Sequence, residues 1–222
     1  MKQEIKERIE KIRNGEVPEG YKETKWAIIP NSWNIKKANS IFKNISFKKK
    51  GQNLEVLSVT QDRGLIPRSE IGFEMKFNLD NLDSYKIVEK GDFVISLRSF
   101  QGGIEYSTRK GIVSPAYTIL RKNENICDGF YKFLLKSDRF ILKMNSIIYG
   151  IRDGKQIGYK DFGILYLPQP PIEEQNKIFE ILENIKKNIN LKKELHYKKI
   201  EFKKGFLQKL FQKKIIFKGL EA

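Results

Sequence analysis

The 222-residue sequence holds one cysteine, Cys127, and one histidine, His196. A single cysteine excludes an intramolecular disulfide framework and any zinc site built on a cysteine cluster, so Cys127 is expected as a small core residue. His196 lies among lysines and is expected on the surface, neither ligand nor catalyst. No run of about 20 apolar residues is present, which excludes a membrane-spanning helix. The opening MKQEIKERIEKIRNG is charged and lacks the apolar centre of a signal peptide, so a cytoplasmic chain is expected. Catalytic signatures are missing as well. There is no Gly-x4-Gly-Lys-Ser/Thr phosphate loop. There is no Gly-rich cofactor loop with an Asn/Asp-Pro-Pro-aromatic motif, since Pro170 and Pro171 run into Ile172. Glu74-Met75-Lys76 fits an acid-x-Lys nuclease fragment, but such triplets arise by chance in a chain rich in Lys and Glu, and metal-dependent cleavage needs clustered carboxylates. The chain is expected to be catalytically silent, with no metal and no cofactor of its own.

Acidic residues are also in deficit. Forty-three Lys and Arg against 27 Asp and Glu leave a net charge of +16, which points to a polyanionic partner such as nucleic acid. A lysine-rich genome contributes to that figure, because many of the lysines fall on solvent faces of expected helices. Arginine is scarcer and more informative, since its fork can read guanine or clamp phosphate.

What is present is organised in three parts. Residues 1–15 form a short amphipathic helix with Ile5, Ile9 and Ile12 on one face, stopped by Gly15 and Pro18. A helix that short is marginal alone and needs a partner, for which the C-terminal helix is the obvious choice. Residues 16–170 alternate β-rich runs with turns. Leu54–Thr60, Tyr85–Val88, Phe93–Leu97 and Ala116–Leu120 read as strands, and Ile35–Phe42 and Asp128–Lys143 as helices. The fold class is α+β with a mixed or antiparallel sheet. Residues 171–222 are the long spacer part, built on one helix of roughly forty residues that runs to Phe211, about 60 Å long at 1.5 Å per residue. Ile178, Leu182, Ile185 and Ile189 repeat at four-three-four spacing, and Leu195, Phe202, Phe206 and Leu210 resume the stripe. That is the seam of a helix that pairs with another in a coiled coil.

Four segments of the middle part could face DNA. Lys48, Lys49 and Lys50 sit in a loop and suit phosphate anchoring, which holds register without reading sequence. Gln61, Arg63 and Arg68 follow a strand and can make paired hydrogen bonds to base edges. Arg98, Gln101 and Tyr106, with Arg109 just beyond, follow another strand, and Gly102-Gly103 permits a tight turn or a close approach of backbone. Arg152, Lys155 and Lys160 belong to a glycine-punctuated loop in which Tyr149 and Tyr159 are expected to brace rather than to stack on bases.

Three motif sets, in order, resemble one family. Gly15-Glu16-Val17-Pro18-Glu19-Gly20-Tyr21-Lys22 leads to Thr24-Lys25 and Ile29-Pro30-Asn31-Ser32-Trp33, similar to a "GxvPeGykxTkxGxiPxxW" entry. Gly91 to Ser96 and Gly111 to Thr118 form the second set. Leu167 to Leu182 is similar to "lPlPPlxEQxkIaxiL", and Lys203 to Phe211 to "lkkgLlqkLF". These are patterns of the specificity (S) subunits of type I restriction–modification systems, and the resemblance spans residues 15 to 211. It implies a half-size S subunit with one target-recognition domain and one spacer helix. Such a subunit reads one half of a split double-stranded DNA target in the major groove and positions adenine methyltransferase (M) subunits and an endonuclease/motor (R) subunit. It also implies pairing through the spacer as a homodimer, with S-adenosylmethionine, ATP and Mg on the partner subunits. Two alternatives stay open: an exchangeable half that pairs with a different S protein, and a helical scaffold that reads no DNA.

Overall fold

The computed structural model describes residues 3–48, 54–71, 79–97, 99–148 and 157–212, and the side chains at 79–81, 100 and 148 are not described. Two compact units result, Met1–Lys177 and Ile178–Ala222.

The first unit opens with α1 (Gln3–Arg13), which carries no buried residue. It ends as its sequence dictates. Gly15 takes φ +81°, its N–H bonds the Ile12 carbonyl, and Glu16 N–H bonds that of Lys11, a Schellman closure that only glycine adopts without strain. Then follow β1 (Tyr21–Glu23), β2 (Ile28–Pro30), β3 (Asn34–Lys37), α2 (Ala38–Ile41), β4 (Phe42–Ile45), β5 (Leu57–Thr60) and β6 (Gly64–Pro67). After two 3-10 turns come β7 (Lys86–Val88), β8 (Phe93–Ile95), α3 (Ser99–Gly102), β9 (Glu105–Tyr106), β10 (Gly111–Val113) and β11 (Thr118–Lys122). The unit closes with α4 (Asp128–Leu134), α5 (Asp138–Ile148), α6 (Tyr159–Gly163) and β12 (Tyr166–Gln169).

The central sheet has strand order β4-β11-β8-β9, and smaller ladders join β1 to β2, β3 to β12, β5 to β6 and β7 to β10. Every ladder among the described residues is antiparallel; the isolated Val56–Ile112 bridge is parallel. Both faces of the central sheet are covered, and the strand period of two sorts the side chains between them. Ile45, Val94 and Ile119 point to one face and join Leu57, Leu65, Val88 and Val113 in an aliphatic cluster. Phe42 and Phe93 point to the other, where Phe42 meets Phe93, Tyr131 and Phe162 at ring separations of 5.3, 5.4 and 6.0 Å. The hairpin β5–β6 therefore lies on the aliphatic side and the helices α4 to α6 on the aromatic side.

Three expectations need correction. Ile35–Phe42 is not one helix: Asn34–Lys37 pairs with Tyr166–Gln169, and only Ala38–Ile41 turns helically. The ladder is reinforced by Lys36, 2.7 Å from Glu124, with Gln169 also donating to that carboxylate. The Lys36 ammonium and the Gln169 amide hold Glu124 below the usual carboxylate range. Asp128–Lys143 is two helices. The Leu135 carbonyl accepts the Ile104 N–H at 3.0 Å, and Ser137 starts the next helix by accepting the Phe140 N–H through its hydroxyl. The expected strand Leu54–Thr60 is shorter, Leu57–Thr60.

The last helix, α7, runs Ile172–Phe211 with Glu173 and Glu174 in its first turn, where carboxylates favour the positive end of the helix dipole. Gln175, 2% exposed, accepts the Cys127 N–H at 2.9 Å and donates to the Pro170 carbonyl at 2.8 Å. Cys127 is thus partly buried at the start of α4 rather than deep in the core. Gln175→Ala would strand both backbone groups. It is expected to lower stability by about 1–3 kcal/mol, measured as a reduced urea midpoint with an unchanged slope.

In the second unit many apolar residues of the helix are exposed, while Ile178, Leu182, Phe206 and Leu210 of the expected seam are half-buried. Ile181, Ile185, Ile189, Leu195 and Phe202 are 60, 49, 48, 54 and 74% exposed, and Phe202 stacks on Phe206 at 6.1 Å. Glu194 and Lys198 pair at 2.7 Å and His196 is exposed, as expected.

Candidate nucleic-acid interface

The candidate interface starts from the β5–β6 hairpin. Thr60 closes its turn: the hydroxyl donates to the Gly64 carbonyl at 2.9 Å and accepts the Arg63 N–H at 3.2 Å. Gly64 has φ +73°, and a Cβ there would lie 3.3 Å from the Tyr106 carbonyl. The turn is thereby seated on β9, with Gln61, Asp62 and Arg63 exposed at its tip. Arg63 lies 3.9 Å from Asp62 with both side chains well exposed, a pairing too weak to hold it from another partner. Arg68 is half-buried at the hairpin's far end, its N–H on the Val56 carbonyl.

Next to the tip lies α3. Ser99 is buried and its hydroxyl accepts the Ser96 N–H at 2.8 Å, which fixes how the chain leaves β8. Gln101 is exposed. At Gly102 a Cβ would come within 2.8 Å of the Gln61 Cγ. The second and third candidate segments therefore touch, and the first of the paired glycines provides that contact. The second, Gly103 at φ +80°, makes the turn: a Cβ there would collide with the Leu135 carbonyl.

A cleft of about 620 Å³ opens between the hairpin and the central sheet, lined among others by Thr60, Gln61, Arg68, Ser96, Glu105 and Tyr117. Lys48 is exposed and bridges to Lys86, whose ammonium donates to the Tyr117 carbonyl at 2.6 Å. Burial pushes the Lys86 ammonium below its ordinary value. Gln61, Arg63 and Gln101 are thus brought together at the tip, while Arg68, at the hairpin's far end, shares the cleft lining with Gln61.

Other sequence candidates fall elsewhere. Tyr106 is half-buried, its ring edge-on to Phe93 at 5.1 Å. Burial, ahead of the nearby Asp128, raises its hydroxyl above the ordinary value. Its aromatic body packs in the core. Arg109 lies 3.8 Å from Glu55, both about half exposed. Lys160 is exposed on α6 in the aromatic layer and does not line the cleft. Tyr159 braces as expected, donating to the Phe42 carbonyl at 2.9 Å. Lys49, Lys50, Arg98, Tyr149, Arg152 and Lys155 lie outside the described residues.

Sequence reasoning missed Lys136 in the α4–α5 turn. Its ammonium donates to the Gln61 carbonyl and to Glu105, each at 2.6 Å. These partners are 75 and 31 residues away, so no local signal marks it. Among the described residues no three His, Cys, Asp or Glu gather to hold a metal ion, and no helix is long and apolar enough to cross a membrane.

No protein-family model matches the chain. Over 205 residues it is 28% identical to the specificity subunit of the type I restriction enzyme MjaVIII of Methanocaldococcus jannaschii, across 88% of this chain and 45% of that one. Its fold is similar to that of the HsdS subunit of Thermoanaerobacter tengcongensis, with a TM-score of 0.50 at 18% identity, covering 85% of this chain and 48% of the other. It is also similar to a chain in a structure concerned with complex assembly and conformational transition of the type I R-M system. There the TM-score is 0.58 at 20% identity, covering 94% and 52%. The resemblance to type I specificity subunits therefore holds in sequence and in fold, and the chain spans about half the length of the relatives it matches.

Proposed function

We propose that this chain is a half-length, non-catalytic specificity subunit of a type I restriction–modification system, with one target-recognition domain and one spacer helix. The observation that carries the reading is the match itself, in sequence and fold at once, to half of a specificity subunit. The recognition domain reads one half of a split duplex target in the major groove. Gln61, Arg63 and Gln101 form the reading edge, with Arg68 in the adjoining cleft, because amides and guanidinium forks make paired hydrogen bonds to base edges. Lys48, with its loop neighbours Lys49 and Lys50, holds phosphates. Arg98, Arg109, Arg152, Lys155 and Lys160 complete the contacts proposed for the duplex, and Tyr106 supports the edge from beneath.

The spacer pairs with the spacer of a second copy, because the stripe of Ile185, Ile189, Leu195 and Phe202 is otherwise left in water and a two-fold pair buries it in a self-complementary interface. The apolar face of α1, Ile5 and Ile9, packs on a spacer in that assembly. M subunits dock on the helices and bring S-adenosylmethionine; an R subunit brings ATP and Mg.

The test is a methylation map. The chain is co-expressed with its M subunit in a methylation-free host, and the DNA is sequenced by a method that reports modified adenine. Modified adenines in a split inverted repeat are the expected result. A split but asymmetric motif would replace the homodimer with pairing to a different S protein. No modification, despite a stable complex with M, would overturn the reading in favour of a scaffold.

A further inference from the structure

Three segments distant in sequence meet at one ion pair, with a buried carboxylate and a half-buried ammonium. Glu105, on the short strand β9, is 3% exposed. Lys136, in the turn between α4 and α5, lies 2.6 Å from its carboxylate and places a second hydrogen bond, also 2.6 Å, on the backbone carbonyl of Gln61. Gln61 is the first residue of the hairpin tip, so the ammonium grips the backbone at the point where the tip leaves the strand. The same turn seats α3. Gly103 packs with no room for a Cβ against the Leu135 carbonyl, and Ile104 N–H bonds that carbonyl at 3.0 Å. Gly102 in turn abuts the Gln61 side chain. The hairpin tip and α3 are thus two ends of one block with Lys136 at its centre.

An ammonium has three donors on a compact head, and two of them are spent on groups in different segments. Satisfying Glu105 needs a cation, but the second bond to Gln61 adds nothing to that task; it fixes the tip relative to the sheet. Paired hydrogen bonds to a base edge demand placement within about 0.5 Å, and a hairpin tip tied only at its two strand ends does not provide that.

We infer that Lys136 is a positioning residue for DNA reading: through Glu105 and the Gln61 carbonyl it holds the Gln61–Arg63 tip and α3 in one fixed register, without touching DNA. The inference rests on the proposed reading function, and the test separates the two. Lys136→Met and Lys136→Arg are made in the full chain, and each is examined by hydrogen exchange and, in complex with M, by competition among duplexes altered one base pair at a time. In Lys136→Met, amides of Arg63 and Gly64 are expected to lose protection about tenfold while Val94 and Ile119 in the central sheet keep theirs. Preference among duplexes is expected to flatten by roughly tenfold, the scale of one good base contact, with affinity for unrelated DNA within twofold. Lys136→Arg, which keeps the cation, should restore most of both.

Unchanged protection at the tip overturns the inference, and so does a uniform loss of affinity for every duplex. If the unaltered chain itself shows no preference, the reading function fails, while the exchange pattern still decides whether Lys136 holds the tip. Should Lys136→Met not fold, Gly102→Ala is the second variant: it pushes on the Gln61 side chain and leaves the ion pair intact. The same flattening is expected from it, and its absence would overturn the inference.

Discussion

Replacing Ile185 and Ile189 together with Glu is expected to turn a dimer of this chain into a monomer and to abolish methylation of the split target. The two positions are four apart, so they share one helix face, and both are about half exposed in the single chain. Burying an isoleucine is worth about 1.5–3 kcal/mol, and a two-fold pair buries four of these two. Losing that, and placing four carboxylates where the seam should close, weakens association by more than about a thousandfold at 1.36 kcal/mol per factor of ten. The recognition unit should be untouched, because neither side chain supports its core. Light scattering of the double variant measures the mass, and urea unfolding checks that the fold survives. Unchanged mass would mean that the stripe pairs with something other than a second copy, and retained methylation would mean that the spacing of two domains does not depend on it.

That prediction draws on the part of the molecule most legible in sequence. A helix of 40 residues with acidic residues at its start and a four-three-four stripe is specified locally, residue by residue. The recognition unit is not. Ile35–Phe42 has helical spacing, yet Asn34–Lys37 is a strand because Tyr166–Gln169, far along the chain, offers it a ladder. The split between α4 and α5 was partly readable, since Ser137 followed by Asp138 is a helix start. Its cause was not, because it lies in the Ile104 N–H taking the Leu135 carbonyl. The reading edge shows the same division. That Gln61 and Arg63 sit at the tip of a turn follows from the strand before them, and that Gln101 lies beside them follows from tertiary packing alone. Tyr106 belongs in the sequence to a segment leaving a strand toward DNA, whereas its ring is turned onto Phe93.

The Gly91-Asp92-Phe93 motif, one of those that carry the resemblance, has a structural role of its own. Gly91 has φ +98° and turns the chain into β8. The side chain of Asp92 is 2% exposed, and Arg121 grips it with Nε on Oδ1 and Nη2 on Oδ2, both at 2.7 Å. Oδ2 also accepts the Glu89 N–H at 2.8 Å. The Asp92 carboxylate holds the Arg121 guanidinium above its ordinary value. Arg121→Met leaves that carboxylate buried without its cation, and removing one partner of a buried pair costs about 3–5 kcal/mol. That is a large share of the roughly 5–15 kcal/mol that holds a domain folded. The expected result is a steep fall in the urea midpoint. Adding Asp92→Asn should recover a good part of it, because the uncompensated charge is gone. At a temperature where Arg121→Met remains folded, its methylation motif should match that of the unaltered chain, base for base. A changed motif would place Arg121 among the reading residues. An unchanged one, beside the flattened preference expected of Lys136→Met, would separate two cations that each serve a buried carboxylate: one that holds the sheet together, and one that aims what the sheet carries.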